Sequence, residues 1–318
     1  MIAPRSGVAC CLTVAACAAC QIIGGFDDFQ PASRDGGRAD SGRADSGRSR
    51  ASAGGSGGAI GHPDACPAER DPGTHGPGMA QVMRPSGSCF WMDTTEVTVS
   101  MYSEFLGVPH AAQSDVCAWN VASDATAQGG LAPEPSCVRS VRSGITLDGG
   151  PRGTLPMSCV DWCDALAFCI WAGKDLCGDD GDAPATPSKS DWFQACSEGD
   201  PARLYGCGSR CSAATCNGSA SQSGSIAPVG TLSGCAVASA GGGESIHDLS
   251  GNGSEWTRSC KPATAAGECV TRGGSYDSPD SALECATTAP LPRARALPTV
   301  GFRCCAESGR SGDSSTRP

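Results

Sequence analysis

The sequence has few aromatic residues and no excess of basic charge. Aromatic side chains make up 5% of its 318 residues, and the formal net charge is −10 with an isoelectric point near 4.8. A nucleic-acid-binding surface needs a basic stripe that displaces counterions from phosphates, so this charge balance argues against nucleic acid as a partner. Because so few aromatic residues are available for a core, we expect covalent cross-links to replace part of the missing apolar burial.

The N-terminal apolar run is too short to cross a bilayer. It extends from Val8 through Ala19 and follows Arg5, which is typical of a secretory signal, here assigned to residues 1–20. Val14-Ala15-Ala16-Cys17 has the small-residue pattern of a bacterial lipoprotein signal, in which the cysteine becomes the acylated first residue of the mature chain. Cys20 is a second candidate for lipidation. The alternative is an ordinary signal peptide whose cysteines are incidental.

Large apolar residues are almost missing from about residue 31 to residue 63. This stretch consists mainly of Gly, Ser, Ala, Arg and Asp, so it cannot offset the entropic cost of ordering. We therefore predict a flexible linker over residues 21–63 and a disordered tail of the same character over residues 308–318. These divisions leave residues 64–307 as one large domain.

Cysteine, glycine and proline are abundant, with 22 Cys, 44 Gly and 22 Pro, and they predict a loop-rich fold. Four cysteines fall within residues 1–20, which leaves 18 between Cys66 and Cys305. An even number behind a secretory signal indicates a disulfide framework. Zinc is the rival interpretation, since Cys159-x3-Cys163 and Cys207-x3-Cys211-x4-Cys216 come near zinc spacings. Neither has a Cys-x2-Cys pair and the compartment oxidises thiols, so disulfides are favoured.

A short helix is predicted after Thr98, which is a suitable N-cap. Tyr102, Phe105 and Leu106 then share one face, and Gly107 ends the helix.

Two further helices carry capping signals. One is predicted to start near Asp161, with Asp164 as its capping-box partner, and to close at Gly173. Its buried side is predicted to contain Trp162, Leu166, Cys169 and Ile170. The other is predicted after Pro187, with Ser188 and Asp191 as the capping pair. Its buried residues would be Trp192, Phe193 and Cys196.

Taken in order, these segments resemble the formylglycine-generating enzyme family, also called the sulfatase-modifying factor family. The resemblance runs from about Gly76 to Cys305. Its motifs are Glu96-Val97-Thr98 with Tyr102 and Phe105, Val160-Asp161-Trp162 leading to Ala167-Phe168-Cys169-Ile170-Trp171-Ala172-Gly173-Lys174, Pro187 to Trp192, Pro228-Val229-Gly230, Asp248-Leu249-Ser250-Gly251-Asn252 with Glu255-Trp256, Arg272-Gly273-Gly274-Ser275-Tyr276, and Gly301-Phe302-Arg303-Cys304.

The resemblance implies an α+β domain, related to C-type-lectin-like folds, with little regular secondary structure and many disulfides. Two disulfides carry over from the family: Cys169 with Cys304, and Cys196 with Cys285. Both would link the middle of the chain to its end, so reduction should unfold the domain.

A calcium site is expected between Asp248 and Trp256. Two carboxylates, Asp248 and Glu255, flank a glycine-rich turn, and a hard cation is bound by about six to eight oxygens. In the resembled family this motif holds structural Ca²⁺, with ligands that match the Asp248 and Glu255 side chains and the Gly251 and Gly253 carbonyls. The alternative is a solvated turn without metal.

A second calcium site of the family is incomplete here. Asn217-Gly218 could match its first half, but no matching acid precedes Pro228.

The family's oxidase reaction is not expected to run in this chain. That reaction converts a sulfatase cysteine to formylglycine with a copper-binding cysteine pair just after the Gly-Gly-Ser-Tyr motif, because copper(I) needs soft thiolates. Here the first cysteine position falls near Ser278, the second has no counterpart, and Cys285 is assigned to a structural bridge. Copper is therefore not expected. A serine hydrolase built on His247 and Asp248 is disfavoured, because nothing singles out a nucleophile.

The leading functional interpretation is a non-catalytic relative, anchored by lipid at the bacterial cell envelope, which binds a protein, peptide or glycan through its loops. The candidate loops are residues 111–156 and 206–243. Their amino-acid composition does not identify a ligand. The first alternative is a formylglycine-generating oxidase or related protein-modifying enzyme, in which Cys285 or Cys305 is catalytic. A purely structural envelope component is the second.

Overall fold

The computed structural model describes residues 74–121, 130–141, 152–178, 189–209, 211–212, 214–240, 242–261, 264 and 266–308. The predicted signal and linker, with Cys17 and Cys20, lie outside these residues. None of the helices within them has the length and apolar character that a bilayer crossing requires.

The described residues form short helices and short strands joined by long turns. The helices are α1 (Val99–Leu106), α2 (Pro135–Ser140), α3 (Trp162–Trp171) and α4 (Asp191–Ser197). The strands are β1 (Met79–Met83), β2 (Cys89–Asp93), β3 (Asp175–Leu176), β4 (Ala236–Val237), β5 (Ile246–His247), β6 (Ser254–Lys261), β7 (Glu268–Arg272), β8 (Ala289–Pro292), β9 (Val300–Phe302) and β10 (Cys304–Glu307). This α+β content agrees with the fold class that the resemblance implies.

Two four-stranded sheets meet where the chain passes from β9 to β10. The first sheet has the order β1-β2-β10-β3, and the second has the order β8-β7-β6-β9, with β9 parallel to β6. Strands β4 and β5 form a separate antiparallel pair. Because only Arg303 separates β9 from β10, the last strands hold the two sheets to one another.

A compact aromatic cluster compensates for the low aromatic content. Tyr102 of α1 stacks on Phe168 of α3 with 5.8 Å between ring centroids, and Phe168 packs edge-on against Phe302 of β9 at 5.4 Å. All three side chains are fully buried. Ring pairs at these separations add stability beyond the area that they bury, so few aromatic residues suffice to join α1, α3 and β9.

The predicted first helix is confirmed as α1. Thr98 is its N-cap and accepts from the Met101 N–H, and the N–H of Gly107 closes its last turn. Tyr102 and Phe105 are fully buried, whereas Leu106 is half-buried against the same core.

The capping box of α3 is confirmed, but one residue of its predicted buried face is wrong. Asp161 and Asp164 each accept a hydrogen bond from the other's backbone N–H. Ile170, however, is 56% exposed. It follows Cys163 and Ala167 on one helix face at i, i+4 and i+7, and the bridge from Cys163 to Cys117 covers that face only near its N-terminal end.

Helix α4 begins two residues later than the predicted capping pair requires. Its N-cap is Ser190, whose hydroxyl accepts from the Phe193 N–H at 3.0 Å. The predicted cap, Ser188, lies outside the described residues. Trp192, Phe193 and Cys196 are buried as predicted.

Disulfides hold the loops at many points. Both bridges implied by the resemblance, Cys169–Cys304 and Cys196–Cys285, are present in the structure. The others are Cys117–Cys163, Cys137–Cys159, Cys177–Cys305, Cys207–Cys211, Cys216–Cys235 and Cys260–Cys269. Cys89 is disulfide-bonded as well.

The Cys169–Cys304 bridge is predicted to stabilise the domain more than a local bridge does, because it closes a loop of 135 residues. The Cys169→Ala/Cys304→Ala double variant should lose about 2–5 kcal/mol of unfolding free energy in denaturant titrations. The matched control is Cys207→Ala/Cys211→Ala, which opens a bridge between residues only 4 apart and should lose much less. Equal losses would contradict the loop-closure argument.

The capping box predicts a pH-dependent stability. Burial raises the pKa of the Asp161 carboxyl from 3.8 to about 6, although backbone hydrogen bonds from Asp164 and Cys163 oppose the rise. A raised pKa contributes stability that is present below about 3.8 and is lost as the pH rises through about 6. Asn also caps helices but does not titrate.

Relative to Asp161→Asn, the wild-type free energy of unfolding should therefore fall by on the order of 2 kcal/mol from about pH 4 to about pH 7. Denaturant titrations across that range measure the change. The control, Asp115→Asn, alters an exposed aspartate. If the Asp161→Asn profile runs parallel to the wild-type profile, the buried-carboxyl account is wrong.

Candidate functional site

The Gly-Gly-Ser-Tyr motif forms a tight turn directly after β7. Gly273 and Gly274 have φ values of +85° and +64°, which side-chain-bearing residues rarely adopt. A Cβ on Gly274 would lie 2.8 Å from the carbonyl oxygen of Ala282. The turn is held against the acidic segment because the Gly251 N–H donates to the Gly273 carbonyl at 2.7 Å.

A groove of about 240 Å³ runs along this turn. Its lining includes glycines and hydroxyl-bearing or charged residues, namely Ser254, Thr271, Arg272, Gly273, Gly274, Ser275, Asp277, Ser278, Thr287 and Thr299. Its apolar lining residues are Ala282, Ala289, Pro290, Leu291, Leu297 and Val300. No cysteine, histidine or aromatic residue lines the groove within the part of the chain that is described.

Ser278, the residue nearest the family's first catalytic cysteine position, lies in this groove. Its Oγ accepts from the Ser275 N–H at 3.0 Å and lies 3.0 Å from the Ser275 Oγ. The Ser275 hydroxyl in turn donates to Asp277 Oδ1 at 2.6 Å. Since no base adjoins Ser278 among these contacts, the network positions hydroxyls for hydrogen bonding rather than activating a nucleophile.

The two cysteines that the alternative interpretation treats as catalytic are both disulfide-bonded. Cys285 is bonded to Cys196 and Cys305 is bonded to Cys177. Every cysteine among the described residues is in a disulfide. No free thiol is therefore present in the described residues to bind copper(I) or to react with oxygen.

Glu255 forms a fully buried ion pair with Arg303. Arg303 Nη2 donates to Glu255 Oε1 at 2.7 Å and Arg303 Nε donates to Oε2 at 2.8 Å. The Trp192 indole N–H also donates to Oε2, at 2.8 Å. Burial alone would lower the pKa of Arg303, but the adjoining Glu255 carboxylate holds that pKa above its ordinary value. Glu255 is therefore a structural anion as well as an expected calcium ligand.

Two more buried carboxylates adjoin this pair. Asp248 has φ +61° and accepts from the Gly230 N–H at 2.7 Å. Glu96 Oε1 accepts from Asn252 Nδ2 at 3.0 Å, whereas Glu96 Oε2 is buried without a hydrogen-bond partner. Burial raises the pKa of Glu96 well above its ordinary value, and the neighbouring Asp248 and Glu255 add to the rise. Burial likewise raises the pKa of Asp248.

Sequence reasoning missed Glu96 as a member of this cluster. The sequence places it only in the Glu96-Val97-Thr98 motif, a β-branched segment before α1. A glutamate flanked by Thr95 and Val97 in such a segment was a usable signal, since buried acids need partners. The partner, Asn252, is 156 residues away.

The expected calcium turn is formed by close backbone contacts. Gly251 has φ +95°, and a Cβ there would collide with the Cys216 carbonyl. The Asn252 N–H donates to the Asn217 carbonyl at 3.0 Å. Asn217, the first half of the family's second calcium site, uses its amide on Asn252 and Ser225. The Asn217 amide therefore supports the turn of the expected calcium site around Gly251 and Asn252.

Another cavity, of about 420 Å³, opens in the predicted loop region after α1. Its polar residues are His110, Gln113 and Asn120, and Leu131 lies at its side. Gln113 and Asn120 are hydrogen-bonded to one another. His110 Nε2 is buried without a hydrogen-bond partner.

Comparisons with known proteins bear on the fold. The family profile described as "Sulfatase-modifying factor enzyme 1-like domain" matches residues 72–308. A search of curated proteins gave no match. Similar solved structures include Treponema denticola variable protein 1, with 14% identity over 72% of this chain and 95% of that chain and a TM-score of 0.44.

CarF has 18% identity over 69% of this chain and 86% of that chain, with a TM-score of 0.44. PvdO from Pseudomonas aeruginosa has 16% identity over 69% of this chain and 80% of that chain, with a TM-score of 0.41. Identification therefore rests on the family profile, which covers most of the chain. By that match, the chain belongs to the sulfatase-modifying factor enzyme family.

Proposed function

We propose that the chain is an exported, lipid-anchored member of its family that binds a peptide segment in the groove and catalyses no oxidation. The anchor is Cys17, or Cys20 as the second candidate. The linker over residues 21–63 separates it from the domain over residues 64–307, and residues 308–318 form a tail. The many disulfides support an oxidising compartment.

The observation that carries this proposal is the chemistry of the groove. Ser278 lies in the groove near the family's first catalytic cysteine position, and every cysteine among the described residues is disulfide-bonded. A serine hydroxyl is neither a soft ligand for copper(I) nor a reducing thiol. A groove does not need free thiols in order to bind a ligand, so the groove can bind a peptide without catalysing oxidation.

The lining favours a peptide over a glycan. Pro290 and Leu291 offer apolar surface, while Ser275 and Ser278 offer hydroxyls, the combination of apolar area and few polar groups that binding pockets use. Strand β8 is an edge strand, and its prolines, Pro290 and Pro292, lack the N–H that strand addition would use. Recognition would therefore act through side chains in the groove.

Two measurements test this function. With copper(I), oxygen and a cysteine peptide derived from a sulfatase, the protein should yield no formylglycine by mass spectrometry. A displayed random-peptide library should give binders whose affinity falls about tenfold or more in Leu291→Arg, since a charge would enter the apolar surface. The control is Leu204→Arg, which alters an exposed leucine outside the groove. Formylglycine product, or selected peptides insensitive to Leu291→Arg, would refute the proposal.

We also propose that the acidic cluster holds one structural Ca²⁺. When ionised, Asp248, Glu255 and Glu96 would carry three negative charges opposite the single positive charge of Arg303, so a divalent cation would balance the cluster and favour the ionised carboxylates that burial otherwise disfavours. Glu255 is shared with Arg303 and Trp192, whereas Glu96 keeps one oxygen without a partner. A hard cation prefers such oxygens. Glu96 thus joins Asp248, Glu255 and the Gly251 and Gly253 carbonyls in the proposed ligand set.

Calcium should raise the melting temperature of the wild-type protein relative to a chelator, because a cation that binds only the folded state stabilises it. In Glu96→Gln this calcium-dependent shift should shrink or vanish. Its melting temperature in chelator should equal or exceed that of the wild type, since a buried carboxyl that is costly to ionise beside Asp248 and Glu255 is replaced by a neutral amide. The control, Glu244→Gln, changes an exposed acid and should keep the full shift. A wild-type protein that melts equally in calcium and chelator contains no such site.

A further inference from the structure

Four cysteines whose side chains take no part in the proposed groove or calcium site lie together as two adjoining disulfides. Cys207–Cys211 and Cys216–Cys235 are the bonded pairs. Cys207 Sγ lies only 3.0 Å from Cys216 Sγ, although these atoms belong to different disulfides. The sulfurs of Cys207, Cys216 and Cys235 all lie within 4.8 Å of one another, and no other three cysteine sulfurs come this close in the part of the chain that the structure describes.

The two disulfides differ in their access to solvent. Cys207 and Cys211 are half-buried and pack against Tyr205 and Leu283, whereas Cys216 and Cys235 are each about 1% exposed. An external thiol can therefore reach the first bridge more readily than the second. Thiol–disulfide exchange needs such access and a nearby thiolate.

The surroundings suit a thiol at Cys235. The Arg203 guanidinium donates to the carbonyl oxygen of Gly206, next to Cys207, at 2.6 Å, but its charge is paired with Glu198. Cys235 Sγ lies 3.5 Å from the carbonyl oxygen of Ser250, so a thiol formed there has an acceptor within reach.

We propose that Cys207, Cys211, Cys216 and Cys235 form a thiol–disulfide exchange site that accepts two electrons from an external dithiol. The dithiol reduces Cys207–Cys211 to two thiols and is itself oxidised to a disulfide. The Cys207 thiolate then attacks Cys216 Sγ. The Cys207–Cys216 bond forms as the Cys216–Cys235 bond breaks, and Cys235 leaves with the electron pair and takes up the proton that Cys207 lost.

The four-cysteine exchange site lies beside the groove. Its chemistry does not depend on which ligand the groove binds. Leu283, against which Cys207 and Cys211 pack, approaches the position of a Cβ on Gly274 to 3.0 Å, and Gly274 lines the groove. Exchange would therefore alter cross-links next to the proposed binding surface. The chemical class of the reaction partner is a dithiol, whether a small molecule or a protein with paired thiols.

The Cys211→Ser variant of the full chain tests the exchange directly. It frees Cys207 without any added reductant, so the free thiol should pass to Cys235. Acid trapping, alkylation with N-ethylmaleimide under denaturing and mildly acidic conditions, and peptide mapping locate that thiol. The expected result is a shift of the label from Cys207 to Cys235, together with a Cys207–Cys216 bridge.

Two further variants make the outcome decisive. Cys207→Ser leaves Cys211 as the free thiol, and the label should remain on Cys211, whose sulfur is outside the three-sulfur group. Cys260→Ser frees Cys269, and the label should remain on Cys269. In the wild-type protein, limited reduction by dithiothreitol should place label on Cys211 and Cys235. Label confined to Cys207 in Cys211→Ser, or to Cys207 and Cys211 in the reduced wild type, overturns the proposal.

Discussion

The buried guanidinium of Arg303 is the interaction on which the rest of the structure depends. It lies between β9 and β10, the point at which the two sheets meet, and it holds both oxygens of Glu255. It also donates to the carbonyl oxygens of Asp93 and His247. A charge taken so far from water is tolerated only when its donors are satisfied, and removal of one partner of such a pair costs about 3–5 kcal/mol. Arg303 therefore fixes β2, β5 and β6 relative to one another, and with them the acidic turn and the groove beside it.

Local signals in the sequence predicted local structure well. The caps at Thr98 and Asp161 depend on residues within one helical turn, so their spacing was sufficient evidence. The exposure of Ile170 was not predictable in this way, because it depends on how far a bridge from Cys117 covers one helix face. Partners such as Glu96 and Asn252, or Cys117 and Cys163, are separated by long stretches of chain, and cysteine spacing alone does not determine connectivity.

The resemblance contributed what spacing could not, namely the pairing of Cys169 with Cys304 and of Cys196 with Cys285, and the expected position of the family's first catalytic cysteine. The structure places Ser278 in the groove and finds Cys285 and Cys305 in bridges to Cys196 and Cys177. Under the proposed function, the family scaffold is kept while the residues that would supply its soft-metal chemistry differ. Fold and activity are separable in this way because a fold is held by its core and its cross-links, whereas chemistry resides in a few side chains.

The state of the cysteines tests this account most directly. Alkylation of the unreduced, denatured protein, followed by peptide mapping, reports every free thiol. The account predicts no label on the 17 cysteines between Cys89 and Cys305, and it predicts disulfide-linked peptides that join Cys196 to Cys285 and Cys177 to Cys305. Stoichiometric label on Cys285 together with a second cysteine would restore the thiol pair that oxidation needs, and would contradict the central claim.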